Sequence, residues 1–218
     1  MNRIVFILDT GCDAVHEAAE WFLEHRDHVI FGIEKLPEET IAEAEYLELD
    51  PDFDFQKIAD EIEKKYGRLD ILILGALHHP LDGAVGTEHD YELFTDVVTE
   101  NVLVCRNMIQ KLYPLLSKGM KRIACITEKE SSNSWSEGAD NLAYSASLAA
   151  INMLGRMMFN KLRPEGFTFR WFCDGEKGGM CAAAYIDSAL CYDPKEPYTH
   201  SDENRFVMRD AYLREISW

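Results

Sequence analysis

Short apolar runs alternate along the chain with longer segments in which apolar residues recur at helical spacing. The first run, Ile4–Leu8, is typical of a buried strand, and a helix with Ala14, Ala18 and Phe22 on one face follows it. The later strand-like runs are 29–33, 46–49, 69–74, 122–127 and 168–173. Helical patterns over 55–66, 92–116 and 143–163 lie between them. Strands that alternate with helices of this length predict a doubly wound α/β fold, with a parallel sheet and helices on both faces.

The pattern contains no repeat, low-complexity tract or linker that would divide the 218 residues. A chain of this length can bury a substantial core as one domain. We therefore expect residues 1–218 to form a single domain. Residues 174–218 are rich in glycine, proline and aspartate, which predicts a loop-rich region that shapes a substrate pocket, with one short strand at 205–208.

The chain is strongly acidic, with a net charge of −17. Its densest group of cations, at 118–122, holds three, which is too few for the basic patch that a nucleic acid requires. We therefore expect no nucleic-acid partner. No apolar run reaches the roughly 20 residues that cross a bilayer, so we expect no membrane partner either.

The six cysteines form no C-x-x-C pair, and we expect no signal peptide, because the chain opens with the polar-flanked run Ile4–Leu8. Free thiols in a reducing cytoplasm are the expectation, and no metal is expected. His78 and His79 follow the fourth predicted strand, at the edge where ligands bind in such sheets. Because a metal site would need a further carboxylate or thiolate ligand, loop histidines are the favoured interpretation.

The residues that carry chemistry stand in an order that resembles one known family. Tyr144 opens the segment Tyr-Ser-Ala-Ser-Leu-Ala-Ala, which resembles the Tyr-x-Ala-Ser-Lys-Ala-Ala motif of short-chain dehydrogenases/reductases. Asn101, in the preceding long helix, matches the asparagine of the family's catalytic group. The resemblance covers about residues 3–175 and implies a Rossmann-type sheet, an NAD or NADP cofactor and a carbonyl or alcohol substrate. It also implies that Tyr144 is the proton donor or acceptor.

The same resemblance implies a set of cofactor contacts. The opening of the family's Thr-Gly-x-x-x-Gly-x-Gly motif follows the first strand, and Asp50 resembles the aspartate that contacts adenine. Glu34 comes one residue after Ile33, which occupies the end of the second strand, where a ribose-binding acid is expected. The implied cofactor-binding residues are Thr10, Gly11, Glu34, Asp50, Gly75 and Ala76.

Three departures from the family pattern bear on the cofactor. Leu148 stands where the family has a lysine that lowers the tyrosine pKa and holds the ribose. Val15 and Glu17 replace the second and third glycines of the glycine motif. A side chain at position 15 obstructs the approach of a pyrophosphate, and Glu17 adds a negative charge to the helix start that would hold it. These changes predict weak binding of NAD or NADP, with NADH preferred because Glu34 would repel a 2′-phosphate.

The catalytic serine of the family has no direct counterpart, because the fifth strand ends in Thr127-Glu128. Ser131 or Ser132 takes that place if the following loop is shifted by a few residues. The candidate catalytic residues are Tyr144, Asn101, Ser131 and Ser132. The alternatives are a structural tyrosine whose hydroxyl finds a partner, and an asparagine that bonds a backbone group in the long helix.

Two functions are consistent with this sequence. One is an NAD(P)-dependent oxidoreductase of weak or altered activity, in which Lys129 or Lys177 would supply the missing cation. The other is a non-catalytic relative that keeps the fold as a binding or regulatory module. In both, the expected partners are a small-molecule substrate or ligand and a second copy of the chain, as a dimer or tetramer. The family resemblance favours the first. An unassisted tyrosine has a pKa near 10 and is a poor base at neutral pH, so the residues alone favour the second or a much-altered enzyme.

Overall fold

The computed structural model describes residues 2–37, 39–49, 54–75, 86, 91–138, 140–173, 178–188 and 202–218. Within these ranges the strands are β1 (Ile4–Leu8), β2 (His28–Ile33), β3 (Glu45–Glu48), β4 (Ile71–Leu74), β5 (Arg122–Thr127), β6 (Thr168–Cys173), β7 (Met208–Arg209) and β8 (Glu215–Ile216). The helices are α1 (Asp13–Glu24), α2 (Gln56–Tyr66), α3 (Tyr91–Leu116), α4 (Leu142–Leu162) and α5 (Gly179–Asp187).

These strands form one sheet in the order β3-β2-β1-β4-β5-β6-β7-β8. Neighbours from β3 to β7 run parallel, and β8 is antiparallel to β7. The predicted parallel α/β fold of Rossmann type is confirmed. Chain order reverses between β1 and β4, and ligands of such sheets bind in the crevice at the carboxyl ends of the strands there. Because strands from Ile4 to Ile216 join the same sheet, we propose that the chain forms one domain.

Each face of the sheet is covered by its own helices. On one face, α2, α3 and α4 bury an apolar cluster against strand residues such as Phe6 and Leu72. On the other, α1 and α5 bury Ile7 and Ile73. Burial on both faces explains why the strands have nearly continuous apolar sequences. None of the helices in the described ranges is long and apolar enough to cross a bilayer.

The C-terminal part of the chain has more regular structure than the expected loops. Gly179–Asp187 is a helix, α5, which packs against α1. The strand expected at 205–208 is instead β7, at Met208–Arg209. The helix is hard to recognise in the sequence because two glycines, which are typical of turns, stand at its start.

A buried ion pair ties the segment 202–218 to the rest of the protein. Asp202, whose side chain is fully buried, accepts hydrogen bonds from Arg209 at 2.8 and 2.9 Å and from the Tyr185 hydroxyl at 3.0 Å. Burial acts to raise the pKa of Asp202, but the bonds from Arg209 and Tyr185 outweigh it and hold the pKa below its usual range. The ion pair lies within this segment, and the bond from Tyr185 joins it to α5.

A second group of charges anchors the C-terminal end of α5. Arg122 donates hydrogen bonds of 2.7 to 3.2 Å to the carbonyl oxygens of residues 186–188. Arg170, on β6, also donates to the carbonyl oxygen of residue 188, and both arginines pair with Glu203. Cations at the C-terminus of a helix match the direction of its dipole, so this end of α5 is held electrostatically as well as by packing.

Candidate active site

The carboxyl ends of β1, β4 and β5 meet at one edge of the sheet. Asp9, Thr10 and Gly11 follow β1, Gly75 follows β4, and Glu128 follows β5. A Cβ atom at position 75 would lie only 2.6 Å from Cγ2 of Thr10, so a larger residue there would require the threonine side chain to move. Thr10 and Gly75, which the family resemblance assigns to the cofactor, are therefore in direct contact.

Asn101 and Tyr144 lie on the same side of the sheet and are joined through Ser147. The Asn101 amide donates a hydrogen bond of 2.9 Å to the Ser147 hydroxyl, which donates one of 2.7 Å to the backbone carbonyl of Tyr144. All three residues are buried, so Asn101 ties α3 to the first turn of α4. Ser147 was not a candidate from the sequence, although it is the second serine of the tyrosine motif.

The surroundings of the Tyr144 hydroxyl keep it protonated. Burial raises the pKa of Tyr144 above its ordinary value, and the negative charge of Glu128 raises it further. Glu128 stands at the end of β5, where the resemblance places the catalytic serine. The sequence shows a glutamate at this point, but the proximity of its carboxylate to the tyrosine is visible only in the structure.

Leu148, one helical turn after Tyr144, belongs to the apolar core. It is 1% exposed and lies in the cluster that α3 and α4 form with the sheet, so it offers the tyrosine neither a charge nor a donor. Lys129, an alternative source of a cation, lies in the short 3-10 helix Lys129–Ser131, with its ammonium 3.9 Å from the Glu137 carboxylate. The other alternative, Lys177, lies outside the described residues.

The two serine candidates hold the C-terminal segment. The Ser131 hydroxyl donates to the sulfur of Met208 at 3.7 Å, and the Ser132 hydroxyl donates to the carbonyl oxygen of Ser217 at 2.6 Å. Neither bond is directed at Tyr144. Thr127, which sequence analysis placed at the end of β5, has a buried Oγ1 with no hydrogen-bond partner within the described residues. That oxygen is a polar atom at this edge that a ligand could satisfy.

The carboxylate of Asp9 accepts hydrogen bonds from within the loop between β1 and α1 and from α1 itself. Oδ1 of Asp9 accepts hydrogen bonds from the Gly11 amide at 2.9 Å and from Nε2 of His16 at 3.0 Å. Burial acts to raise the pKa of Asp9, but these bonds and the charge of His16 outweigh it and hold the pKa below its usual range. The bond to Asp9 in turn raises the pKa of His16. Asp9 therefore stays ionised at neutral pH.

Val15 and Glu17 have structural roles that a comparison with the glycine motif does not predict. Val15 is 1% exposed and packs between α1 and the sheet, and its predicted obstruction of a pyrophosphate stays a prediction. Oε2 of Glu17 accepts a hydrogen bond of 3.2 Å from the Gly179 amide. A carboxylate at this amide lies at the positive end of the α5 dipole, which it stabilises.

The described residues of this edge do not fit a bound dinucleotide. In Rossmann-type sheets the pyrophosphate is held by backbone amides of the loop after β1 and by the start of α1. Here the Gly11 amide already donates to Asp9, and that carboxylate would repel a phosphate at the same place. Glu17 adds a second negative charge to the same helix.

The remaining predicted contacts contribute little to this edge or cannot be placed. Ile33 closes β2, and Glu34 after it is exposed. Asp50, Ala76, His78 and His79 lie outside the described residues. Among the side chains that the structure does describe, no three of the types His, Cys, Asp and Glu are arranged to hold a metal ion.

Comparisons with known proteins agree with this fold. A family profile described as short chain dehydrogenase matches residues 28–176, and a search of curated proteins finds no match. Among solved structures, the chain is similar to a protein assigned as the carbonyl reductase Sniffer of Caenorhabditis elegans, with a TM-score of 0.80, 17% identity and 100% of both chains covered. A protein assigned as a short-chain alcohol dehydrogenase of Burkholderia multivorans has a TM-score of 0.74, at 16% identity over 100% of both chains.

A third structure, the NADP complex of RhlG from Pseudomonas aeruginosa, has a TM-score of 0.63 and 21% identity over 78% of this chain and 70% of that one. At these identities the solved structures show a likeness of fold, whereas the family profile matches more than half of the chain. The chain thus belongs to the short-chain dehydrogenase/reductase family, whose members typically use NAD(P).

Proposed function

We propose that this chain is a non-catalytic member of its family and that the carboxyl edge of its sheet serves as a binding or regulatory surface for a small molecule. The observation that carries the proposal is the environment of Tyr144. Its hydroxyl is buried, an acid stands where the family has its serine, and a core leucine stands where the family has its lysine.

The chemistry follows from these neighbours. To exchange a proton with a carbonyl or alcohol oxygen at neutral pH, the tyrosine needs a pKa close to the working pH, and a nearby cation is what lowers it. The Glu128 carboxylate moves the pKa of Tyr144 in the opposite direction. A protonated phenol of this kind can hold a ligand by a hydrogen bond, but it is a weak acid and is not available as a base.

A second candidate is an NAD(P)-dependent oxidoreductase of low activity that acts on a carbonyl or alcohol. The observation in its favour is the retained connection from Asn101 through Ser147 to Tyr144. That connection positions the start of α4, but it contributes no charge to the tyrosine hydroxyl. The first proposal accounts for the connection and for the lack of a charge that would lower the tyrosine pKa, because a binding site also needs the start of α4 to be held in position.

The ionisation of Tyr144 tests the proposal directly. We expect the phenol to remain protonated through neutral and moderately alkaline pH, because burial and Glu128 both disfavour the tyrosinate. The measurement is the tyrosinate absorbance of the wild-type protein minus that of Tyr144→Phe during a pH titration. Glu128→Gln should move the transition to lower pH. The matched control, Glu137→Gln, removes an exposed carboxylate and should leave it in place. Ionisation of Tyr144 near neutral pH would show that a cation acts on it after all.

Dinucleotide binding is the second test. A cofactor at a hundredfold excess over its dissociation constant would stabilise the folded state by about 2.7 kcal/mol, which for a chain of this size is a rise of roughly 5–10 °C in Tm. We expect a thermal-shift titration with millimolar NADH and NADPH to give no such rise. A rise with either cofactor would favour the oxidoreductase.

The assembly of the chain is also a proposal. The family often pairs its two long helices between subunits, and Met153 and Met157 on α4 are exposed, at 60% and 62%. We propose a dimer or tetramer with α4 at the interface. A measurement of the molecular mass of the protein in solution tests this oligomeric state.

A further inference from the structure

We infer that Asp9 is an internal anion that occupies the phosphate position of the loop after β1, so that the crevice of this chain selects ligands without phosphate groups. This inference rests on the proposed function and deepens it, because it names the residue that excludes the dinucleotide and the class of ligand that remains. The family resemblance alone does not suggest it, since it concerns a residue outside the glycine motif.

The position of Asp9 is set by backbone and side-chain bonds together. Its amide donates to the carbonyl oxygen of Gly32 at 2.9 Å, which continues the pairing of β1 with β2 past the end of the strand. Its carboxylate then accepts from the Gly11 amide and from His16. His16 is itself held on edge against the Phe31 ring, with the ring centres 5.8 Å apart. The carboxylate is therefore built into the loop and does not swing freely in solvent.

This arrangement reproduces the contacts that a bound phosphate would make. An anion at a loop amide before a helix is stabilised by the N–H group and by the dipole of the helix that follows, here α1. His16, whose pKa is raised by its bond to Asp9, is the side-chain partner, and the carboxylate supplies the negative charge from within the chain. An incoming pyrophosphate would have to displace the Asp9 carboxylate from the Gly11 amide. It would still lie beside the negative charge of Asp9, because this carboxylate stays ionised at neutral pH.

The ligand class follows from the groups that remain. Asp9 and Glu128 place negative charge at the carboxyl ends of β1 and β5, and the buried Oγ1 of Thr127 lacks a partner within the described residues. A neutral or cationic small molecule that donates hydrogen bonds is compatible with these acceptors. A nucleotide or a sugar phosphate is not.

The test is the affinity of the folded protein for pyrophosphate and for NADH, measured by isothermal titration calorimetry. Asp9→Asn keeps an oxygen that can accept from the Gly11 amide and removes the charge, whereas Asp9→Ala vacates the amide as well. We expect both variants to bind pyrophosphate at least about tenfold more tightly than the wild type, with Asp9→Ala the stronger, because a charge-assisted hydrogen bond becomes available to the ligand. The matched control is Asp13→Asn, which removes an exposed carboxylate from the first turn of α1 without freeing a loop amide.

The outcomes separate the inference from the proposed function. If Asp9→Asn and Asp9→Ala fold, as judged by circular dichroism and a cooperative thermal transition, but bind pyrophosphate no better than Asp13→Asn, Asp9 is not the excluding group. In that case the proposed function stands and this inference falls. If the unmodified protein binds NADH tightly, both fall. If Asp9→Ala does not fold, Asp9→Asn alone decides, because it preserves the turn that Oδ1 forms with the Gly11 amide.

Discussion

Asp202→Asn should lower the free energy of unfolding by about 3–5 kcal/mol, because it leaves the guanidinium of Arg209 without its charged partner in a largely buried place. The Asp202 side chain is fully buried, that of Arg209 is 14% exposed, and Tyr185 shares the same carboxylate. Asparagine keeps the shape of the side chain, so the decrease in the free energy of unfolding measures the contribution of the charge and of the hydrogen-bond geometry. Urea unfolding at neutral pH measures it.

The control for this prediction lies in the same segment of the chain. Glu215 pairs with Arg205 at 2.8 Å, but their side chains are 48% and 35% exposed, and Glu215→Gln should cost less than about 1 kcal/mol. The pH dependence supplies a second check. Because the pKa of Asp202 is lowered on folding, its contribution is complete above the pKa of the unfolded chain and is lost as pH falls through the folded value, below about pH 4. Equal losses from the two substitutions would contradict the assignment of Asp202 as the buried anchor.

Gly179→Ala should destabilise the protein by about 1–3 kcal/mol through a clash between α5 and α1. A Cβ atom at position 179 would lie 2.4 Å from Cβ of Glu17 and 2.5 Å from the carbonyl oxygen of Ala14. The second of these atoms belongs to the backbone of α1 and has little room to move. Alanine is the better helix former by up to about 1 kcal/mol, so the clash acts against a favourable propensity. Urea unfolding again gives the value.

Gly138→Ala is the matched substitution for this second experiment. Among the described residues, its new Cβ atom would meet nothing nearer than the carbonyl oxygen of Asp140 at 4.0 Å, so the change in stability should stay within about 0.5 kcal/mol. A Gly179→Ala protein as stable as the wild type would mean that α5 can move away from α1 without loss. The contact between Glu17 and the Gly179 amide would then make no contribution to the stability of the protein.

The apolar strands of the sheet could be predicted from the sequence, but not all of their boundaries. The apolar runs at 122–127 and 168–173 become β5 and β6 with the predicted bounds, because both are buried on two faces. The run at 69–74 begins as a strand only at Ile71. The amide of Leu69 bonds the end of α3 instead, at Leu115, a partner that lies far along the chain. Hydrophobicity alone does not distinguish a ladder residue from one that caps a neighbouring helix.

The candidate site divides in a similar way. The pairing of Asn101 with Tyr144 follows from the order of the motifs, since helices before and after β5 pack on the same face. The part played by Asp9 could not be predicted, because it depends on a bond to His16 in the second turn of a helix and on a loop amide. The contact of Ser132 with Ser217 joins residues 85 positions apart and leaves no periodic signal. Such polar contacts depend on tertiary structure, which a pattern of apolar residues does not specify.

The contact between Glu17 and Gly179 constrains how this sequence can change. Replacement of Glu17 by glycine would leave the α5 amide without its acceptor, and a side chain at position 179 would still clash with the carbonyl oxygen of Ala14. Residues in contact are not independent in their effects on stability, so the benefit or harm of each substitution depends on the other position. Introduction of glycine at position 17 would therefore lower stability before any gain in dinucleotide affinity compensated for the loss. The contact between Glu17 and Gly179 therefore favours retention of both residues.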